Sequence, residues 1–364
     1  MTNNRSPIDR RGALLALVGL PLLARSRRAV AARPRFIPQA MAAPAAAFPD
    51  GATILVAGPD GGTTDAWTRV IVPALAQALP PETQIHKTAS GGPDGVTGAN
   101  QFYARGAPDG QTALLAPGAA AVAWLVGDPR AQFDAGRWVP VLGGATSGVV
   151  VARVGPSVFG PGGRPRIAAD SPTGAALPAL LGIDLLGARG TPHFGLVAPE
   201  QARDALQQGA VDAVFVGGHN VPERVAALAP AGGQPVFSLG ARNAEGVMVR
   251  DPLFPDLPTL TDMSASLGGA PLAGPLYEAW CAVATASQLD FGLVLPPLTP
   301  AAMVALWRRA GRQAALAPEM QAAAAALSVR PLANPAATAP IAANAPALLA
   351  LRRWLVTSFN WQPA

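Results

Sequence analysis

Between residues 53 and 115 the chain repeats one unit: an apolar run, a glycine-rich turn and a helix. Thr53-Ile54-Leu55-Val56-Ala57 reads as a strand, Gly58-Pro59-Asp60-Gly61-Gly62 breaks it, and Thr63-Thr64-Asp65 opens a helix. In that helix Trp67, Val70, Ile71, Ala74, Leu75 and Leu79 recur at steps of three and four, which makes one apolar stripe. Thr63 or Thr64 is positioned to cap its start, Asp65 suits the positive end of its dipole, and Pro73 is expected to kink its middle. The short run Gln84-Ile85-His86 leads to a second turn, Ser90-Gly91-Gly92-Pro93-Asp94-Gly95-Val96-Thr97-Gly98. A small-residue helix over 99–105, a turn at Ala107-Pro108-Asp109-Gly110 and a strand over 112–116 follow. This rhythm is that of a parallel sheet, whose ligands sit beyond the carboxyl ends of the strands. Each turn leaves peptide N–H groups aimed at one point, where an anion or polar ligand can settle, although any tight strand-to-helix connection also uses glycine.

Downstream, residues 138–143 and the strand 148–152 continue the first lobe, and the Gly/Pro-rich stretch 155–165 marks a crossover. A second lobe starts with a strand at 166–169 and a third turn, Asp170-Ser171-Pro172-Thr173-Gly174, which enters an Ala/Leu-rich helix. Helices are expected over 199–208 and 220–228, and strands over 211–216 and 236–239. The apolar run 277–285 reads as a long strand returning the chain to the first lobe. Helices over 300–315, 318–327 and about 346–358 complete it, each opening on a proline.

Composition narrows the function by exclusion. Arg10-Arg11 precede an apolar run from Ala13 to Ala24, and Ala29-Val30-Ala31-Ala32 offers small residues to a signal peptidase. Residues 1–32 therefore read as an export signal; the paired arginines favour the twin-arginine route, with the general secretory route left open. Removing them takes away six arginines and one aspartate and leaves 21 basic against 21 acidic side chains, so a nucleic-acid surface has no support. Residues 33–50, rich in Ala and Pro without periodicity, read as a leader remnant or a flexible tether. The three histidines, His86, His193 and His219, are scattered, and Cys281 is the lone cysteine in an apolar run. No spacing suggests a metal site. Gly144-Ala145-Thr146-Ser147-Gly148 misses the nucleophile-elbow pattern by one position, and no lysine follows the Gly58 loop as in a nucleotide-binding loop. No catalytic residue, metal or cofactor is expected, and the chain is read as a non-enzyme.

The first two turns, the Ala107-Pro108-Asp109-Gly110-Gln111-Thr112 segment, Gly209-Ala210-Val211-Asp212-Ala213-Val214-Phe215, Phe254-Pro255-Asp256-Leu257-Pro258-Thr259-Leu260 and the run from Leu293 to Ala301 together resemble the Bug (TctC) family. These are the extracytoplasmic solute-binding proteins of tripartite tricarboxylate transporters, and the likeness covers nearly everything after Ala52. It implies a two-lobed α/β fold of the type II periplasmic-binding-protein kind. Each lobe would be a mixed, mostly parallel sheet flanked by helices, with the ligand cleft between them. Residues 51–152 and 276–364 would form the first lobe and 153–275 the second. The resemblance further implies a monomer in the periplasm that binds a small carboxylate-containing metabolite and delivers it to membrane transporter subunits, or to a sensor. An exported enzyme using the same cleft is the alternative.

By the same resemblance, Asp60, Gly61, Gly62, Thr63, Thr64 and Asp65 of the first turn, with Gly91, Gly92, Thr97 and Gly98 of the second, would hold the ligand carboxylate through backbone amides and water. Ser171, Thr173 and Gly174 would grip its distal end. Four departures stand out. Asp60 and Asp94 add acids to the binding turns, Gly195-Leu196-Val197-Ala198 replaces the family's Pro-Tyr-Lys-Gly, and Val216-Gly217 replaces a frequent Asp-Asn. Two acids beside a carboxylate oppose its binding unless they point outward, which leaves an uncharged, amide or cationic ligand open.

Overall fold

The computed structural model describes residues 48–49, 51–243, 245–333, 341 and 343–363; the expected export signal and all but two residues of the expected tether lie outside them or at their edge. The first lobe begins with β1 (Ala52–Ala57), the short helix α1 (Thr63–Ala66), α2 (Thr68–Ala78), β2 (Ile85–Ser90), α3 (Val96–Arg105), β3 (Thr112–Ala116), α4 (Gly118–Val126) and β4 (Val139–Ala145). The second lobe runs through β5 (Ser147–Ala152), β6 (Arg166–Ala168), α5 (Leu177–Leu185), β7 (Thr191–His193), α6 (Pro199–Gln208), β8 (Ala213–Gly218), α7 (Val221–Ala226) and β9 (Gln234–Ser238). A two-stranded ribbon, β10 (Ala241–Arg242) and β11 (Met248–Val249), and α8 (Leu260–Ser266) lead to α9 (Pro275–Gln288) and β12 (Leu289–Leu295). The chain then forms α10 (Ala301–Leu316), α11 (Pro318–Ala326), β13 (Arg330–Leu332) and α12 (Ala345–Phe359).

Two mixed sheets share one plan. The first has the order β13-β4-β12-β3-β1-β2 and the second β7-β6-β8-β5-β9. β1 pairs in parallel with β2 and β3, as β6 does with β7 and β8. The strand that arrives from the other half, β12 in the first sheet and β5 in the second, is antiparallel to both neighbours. Each lobe is thus closed by a strand borrowed across the crossover, so the two are tied covalently at the carboxyl ends of their parallel strands.

The pleat of β1 shows why the opening run is apolar throughout. Ile54 and Val56 face a core built with α2, α10 and α11, while Leu55 and Ala57 face one built with α3, α4, α9 and α12. Helices α9 and α12 also reach the second lobe, where Trp280 Nε1 donates to Pro178 O (2.9 Å) and Trp354 Nε1 to Asp184 Oδ2 (3.0 Å).

Three expectations need correction. The run 277–285 is the middle of helix α9 and not a strand. Its residues from Ala279 to Ala286 are buried on every side, so the helical period is erased, and length together with Pro275 at the helix start were the usable signals. The strand 148–152 belongs to the second sheet, and the crossover is the single residue Thr146 between β4 and β5, ahead of the Gly/Pro-rich stretch. Near the first turn, the helix is interrupted at Trp67 and not at Pro73, and its cap is Gly62, so neither Thr63 nor Thr64 caps it by a side chain.

Candidate functional site

A cavity of about 270 Å3 opens where the lobes meet. From the first lobe it is lined by Pro59, Thr63 and Thr64 of the first turn, Pro93 of the second, and Pro117, Gly118 and Ala119 at the start of α4. Gly218, at the end of β8, comes from the second lobe. Thr146, Ser287, Leu289 and Asp290 are supplied by the crossovers. The two crossovers are stitched together beneath it: the Thr146 peptide N–H (2.7 Å) and hydroxyl (3.1 Å) both donate to Gln288 O. The Gly118 and Ala119 peptide N–H groups have no acceptor among the described residues, and with Thr63 and Thr64 in the same lining they give this wall a supply of hydrogen-bond donors.

The acids that raised doubt about an anionic ligand are compensated from outside the cavity. Lys87, the only lysine in the chain, bonds the Asp65 carboxylate at 2.7 Å and the exposed Asp60 at 3.3 Å. Asp65 is buried and also accepts the Gly61 N–H at 3.0 Å. Burial pushes its pKa up, but the Lys87 ammonium, the Gly61 N–H and the Thr68 hydroxyl together hold it below the usual carboxylate value. Asp65 therefore braces the first turn. Gly61, at φ +73°, supplies the left-handed residue that lets its N–H reach that carboxylate. Asp94 accepts the Val96 N–H at 3.2 Å and pairs with Arg130 at 2.8 Å. That carboxylate closes its own turn.

Of the expected binding residues, Thr63 and Thr64 line the cavity, while Asp60, Gly61, Gly62, Asp65, Gly91, Gly92, Thr97 and Gly98 stand behind it. Gly98 has a packing role: a Cβ there would lie 2.6 Å from Ala57 Cα and 2.9 Å from Ser90 O. Ser171, Thr173 and Gly174 do not line it either; their turn is folded onto the Asp170 carboxylate, which a Cβ at Gly174 would overlap at 2.1 Å.

Unforeseen in the sequence was the group at the cavity floor. Asp290 Oδ2 accepts from Trp67 Nε1 at 2.6 Å and meets His219 Nε2 at 2.9 Å, so the loop after β8 and the strand β12 are joined across the lobes. The Asp290 carboxylate raises the pKa of the half-buried His219, against the opposing effects of burial and Arg224. Beside it the Asn220 N–H donates to Leu327 O at 3.0 Å, a second cross-lobe bond. A lone acid inside the apolar run 289–295 was the available signal. For α4 it was Pro117-Gly118 after a strand, the same punctuation as in the recognised turns.

The third turn borders another cavity of about 320 Å3, wholly in the second lobe between α6 and α7. Asp170, Ala175 and Ala176 line it, with Leu196, Val197 and Ala198 and with Val216 and Gly217. Residues at both second-lobe departures from the family pattern thus border one hollow. Among the described residues no cluster of three or more metal-ligating side chains occurs, and no helix is long and apolar enough to cross a membrane.

No family model matches the chain, and no curated protein matches it in sequence. Its fold does match solved structures. A TctC solute-binding protein from Polaromonas aligns over 86% of this chain and 99% of its own at 15% identity, with a TM-score of 0.61. The periplasmic binding protein BugD (17% identity, 85% of this chain and 96% of its own, TM-score 0.45) and MatC from Rhodopseudomonas palustris with bound malate (19%, 85% and 96%, 0.43) align less closely. The fold assignment rests on the first. The chain has the two-lobed α/β architecture of periplasmic solute-binding proteins, with two mixed sheets flanked by helices.

Proposed function

We propose that this chain is an extracytoplasmic solute-binding protein of the Bug/TctC type. It holds a small carboxylate-containing metabolite in the inter-lobe cavity and delivers it to a tripartite tricarboxylate-type membrane transporter. The carrying observation is the cavity itself. It lies at the carboxyl ends of the parallel strands, it draws its lining from both lobes and both crossovers, and one wall is a row of hydroxyl and peptide donors. The fold shared with the Polaromonas protein supports this reading, as does the family resemblance of the turns. The periplasm is the proposed location, reached through the export signal in residues 1–32, and the arginine pair Arg10-Arg11 favours the twin-arginine route. Mass spectrometry of whatever co-purifies with the exported chain, followed by calorimetry with that compound, tests the proposal. A saturable one-to-one titration supports it, and the absence of any co-purifying or binding acid refutes it.

An exported enzyme using the same cleft has one observation in its favour, the His219–Asp290 pair. Among the described residues no hydroxyl or thiol is hydrogen-bonded to that imidazole, so no side-chain nucleophile stands beside the pair. Turnover of the bound compound that disappears in His219→Gln would favour the enzyme.

A further inference from the structure

The cavity wall is unusual in its charge. Among the described residues Asp290 is the one charged side chain that lines it, and neither a lysine nor an arginine does. Its two oxygens are used unequally. Oδ2 takes both internal donors, Trp67 Nε1 at 2.6 Å and His219 Nε2 at 2.9 Å, whereas Oδ1 has no donor among the described residues. The side chain is 11% exposed, and Oδ1, which is not among the buried unpaired atoms, is the oxygen left open to solvent and to a ligand. Trp67 follows directly on α1, the helix that carries Thr63 and Thr64, so the donor wall and this acceptor are held in a fixed relation.

We propose that Asp290 sets the ligand class: the cavity takes a short acid with a carboxylate at one end and a hydrogen-bond donor, a hydroxyl or an ammonium, at the other. This rests on the reading of the chain as a carboxylate-binding protein and narrows it. The carboxylate meets Thr63, Thr64 and the first N–H groups of α4; the distal donor meets Asp290 Oδ1. A dicarboxylate is disfavoured, because its second charge faces Asp290 with no cation among the described lining residues to offset it. Protonation of His219 does not change this. It brings the His219–Asp290 pair only to neutrality and leaves no surplus positive charge for a second carboxylate. A terminal methyl group fares poorly too, since it displaces water from a carboxylate oxygen and offers no donor in return. The acids in the binding turns, Asp60 and Asp94, do not set this preference, because Lys87 and Arg130 already answer them.

The test is calorimetry on the full chain with four acids that share one end and differ at the other: butyrate, 4-hydroxybutyrate, 4-aminobutyrate and succinate. The donor-bearing acids are expected to bind at least about tenfold more tightly than butyrate and succinate, the effect of one charge-assisted hydrogen bond. The order of the hydroxyl and ammonium arms shows which donor the site takes. In Asp290→Asn that advantage should shrink to about twofold or less while the shared carboxylate still binds. Succinate or butyrate binding as tightly as the donor-bearing acids in the unaltered protein overturns the inference and leaves the carboxylate-binding reading intact. A preference for donors that survives in Asp290→Asn assigns it to another residue and also overturns the inference. Binding of none of the four overturns the inference, while the carboxylate-binding reading falls only if no co-purifying or binding acid is found at all. The ranking in the unaltered protein decides the matter even if the variant does not fold.

Discussion

Gly98 separates two readings of the glycine turns, one in which the glycine admits a ligand and one in which it admits a neighbouring backbone. A methyl group at this position would sit 2.6 Å from Ala57 Cα, 2.8 Å from Ala57 Cβ and 2.9 Å from Ser90 O. Comfortable carbon–carbon contact is about 3.5–4.0 Å, and two of these neighbours are backbone atoms that cannot rotate aside, so α3 would have to move off β1 by roughly 1 Å. Alanine in a helix interior is otherwise better than glycine by about 1 kcal/mol. Overpacking of this kind costs about 1–3 kcal/mol, and two contacts under 3 Å with backbone atoms put Gly98 toward the upper end, about 2–3 kcal/mol, so the net effect of Gly98→Ala should be a loss of about 1–2 kcal/mol. At roughly 2 °C per kcal/mol for a chain of this size, Tm should fall by about 2–4 °C. Thermal melting by circular dichroism measures it, with Gly155→Ala as the control, because a Cβ at Gly155 meets nothing within 4 Å. A Gly98→Ala protein as stable as the parent refutes the packing account.

The remaining expectations concern the turns and the cross-lobe pair. His219 has a raised pKa in the folded state, so its bond to Asp290 contributes stability that is complete below its ordinary value of 6.5 and is lost as pH rises through the raised value. Urea titrations across that window should show this loss in the parent and its absence in His219→Gln. Asp65 has a lowered pKa, so its contribution is present above 3.8 and disappears as pH falls through the folded value; Asp65→Asn should be less stable at neutral pH and should show a flatter acid limb. In Gly62→Val the new side chain presses on Pro59, whose ring and carbonyl oxygen lie 3.0 Å from the Cβ position. This variant should therefore lose both affinity and Tm, in contrast to a ligand-only effect, which would leave melting unchanged.

The parts of this fold that could be read from the sequence are those in which one side of an element faces solvent. α6 matches the expected range from Pro199 to Gln208 and α10 lies within a residue of its own, because polar and apolar positions alternate with a helical period; α11, also within a residue, is marked by Pro318 and its alanine run. Strands β1 and β3 are the exception: both faces are buried, yet a short apolar run bounded by turns reads as a strand without any alternation. Burial on all sides removes that signal. It made α9 look like a strand and left α4, apolar around its whole circumference, without a reading.

At the site, the turns were legible as turns but the direction of their side chains was not. Whether Asp60 and Asp94 face a ligand depends on Lys87 and Arg130, which lie 27 and 36 residues further along the chain. The pairing of His219 with Asp290 joins residues 71 positions apart, across two lobes whose crossover the chain marks with no glycine or proline of its own, only Thr146.

Hydrogen–deuterium exchange of the full chain with and without its co-purifying ligand tests most directly whether the inter-lobe cavity is the binding site. The account predicts that segments 59–64, 117–119, 218–219 and 287–290 gain protection together, since they line one cavity from both lobes. Protection confined to segments 170–176 and 196–203 would put the ligand in the second-lobe hollow and contradict the account.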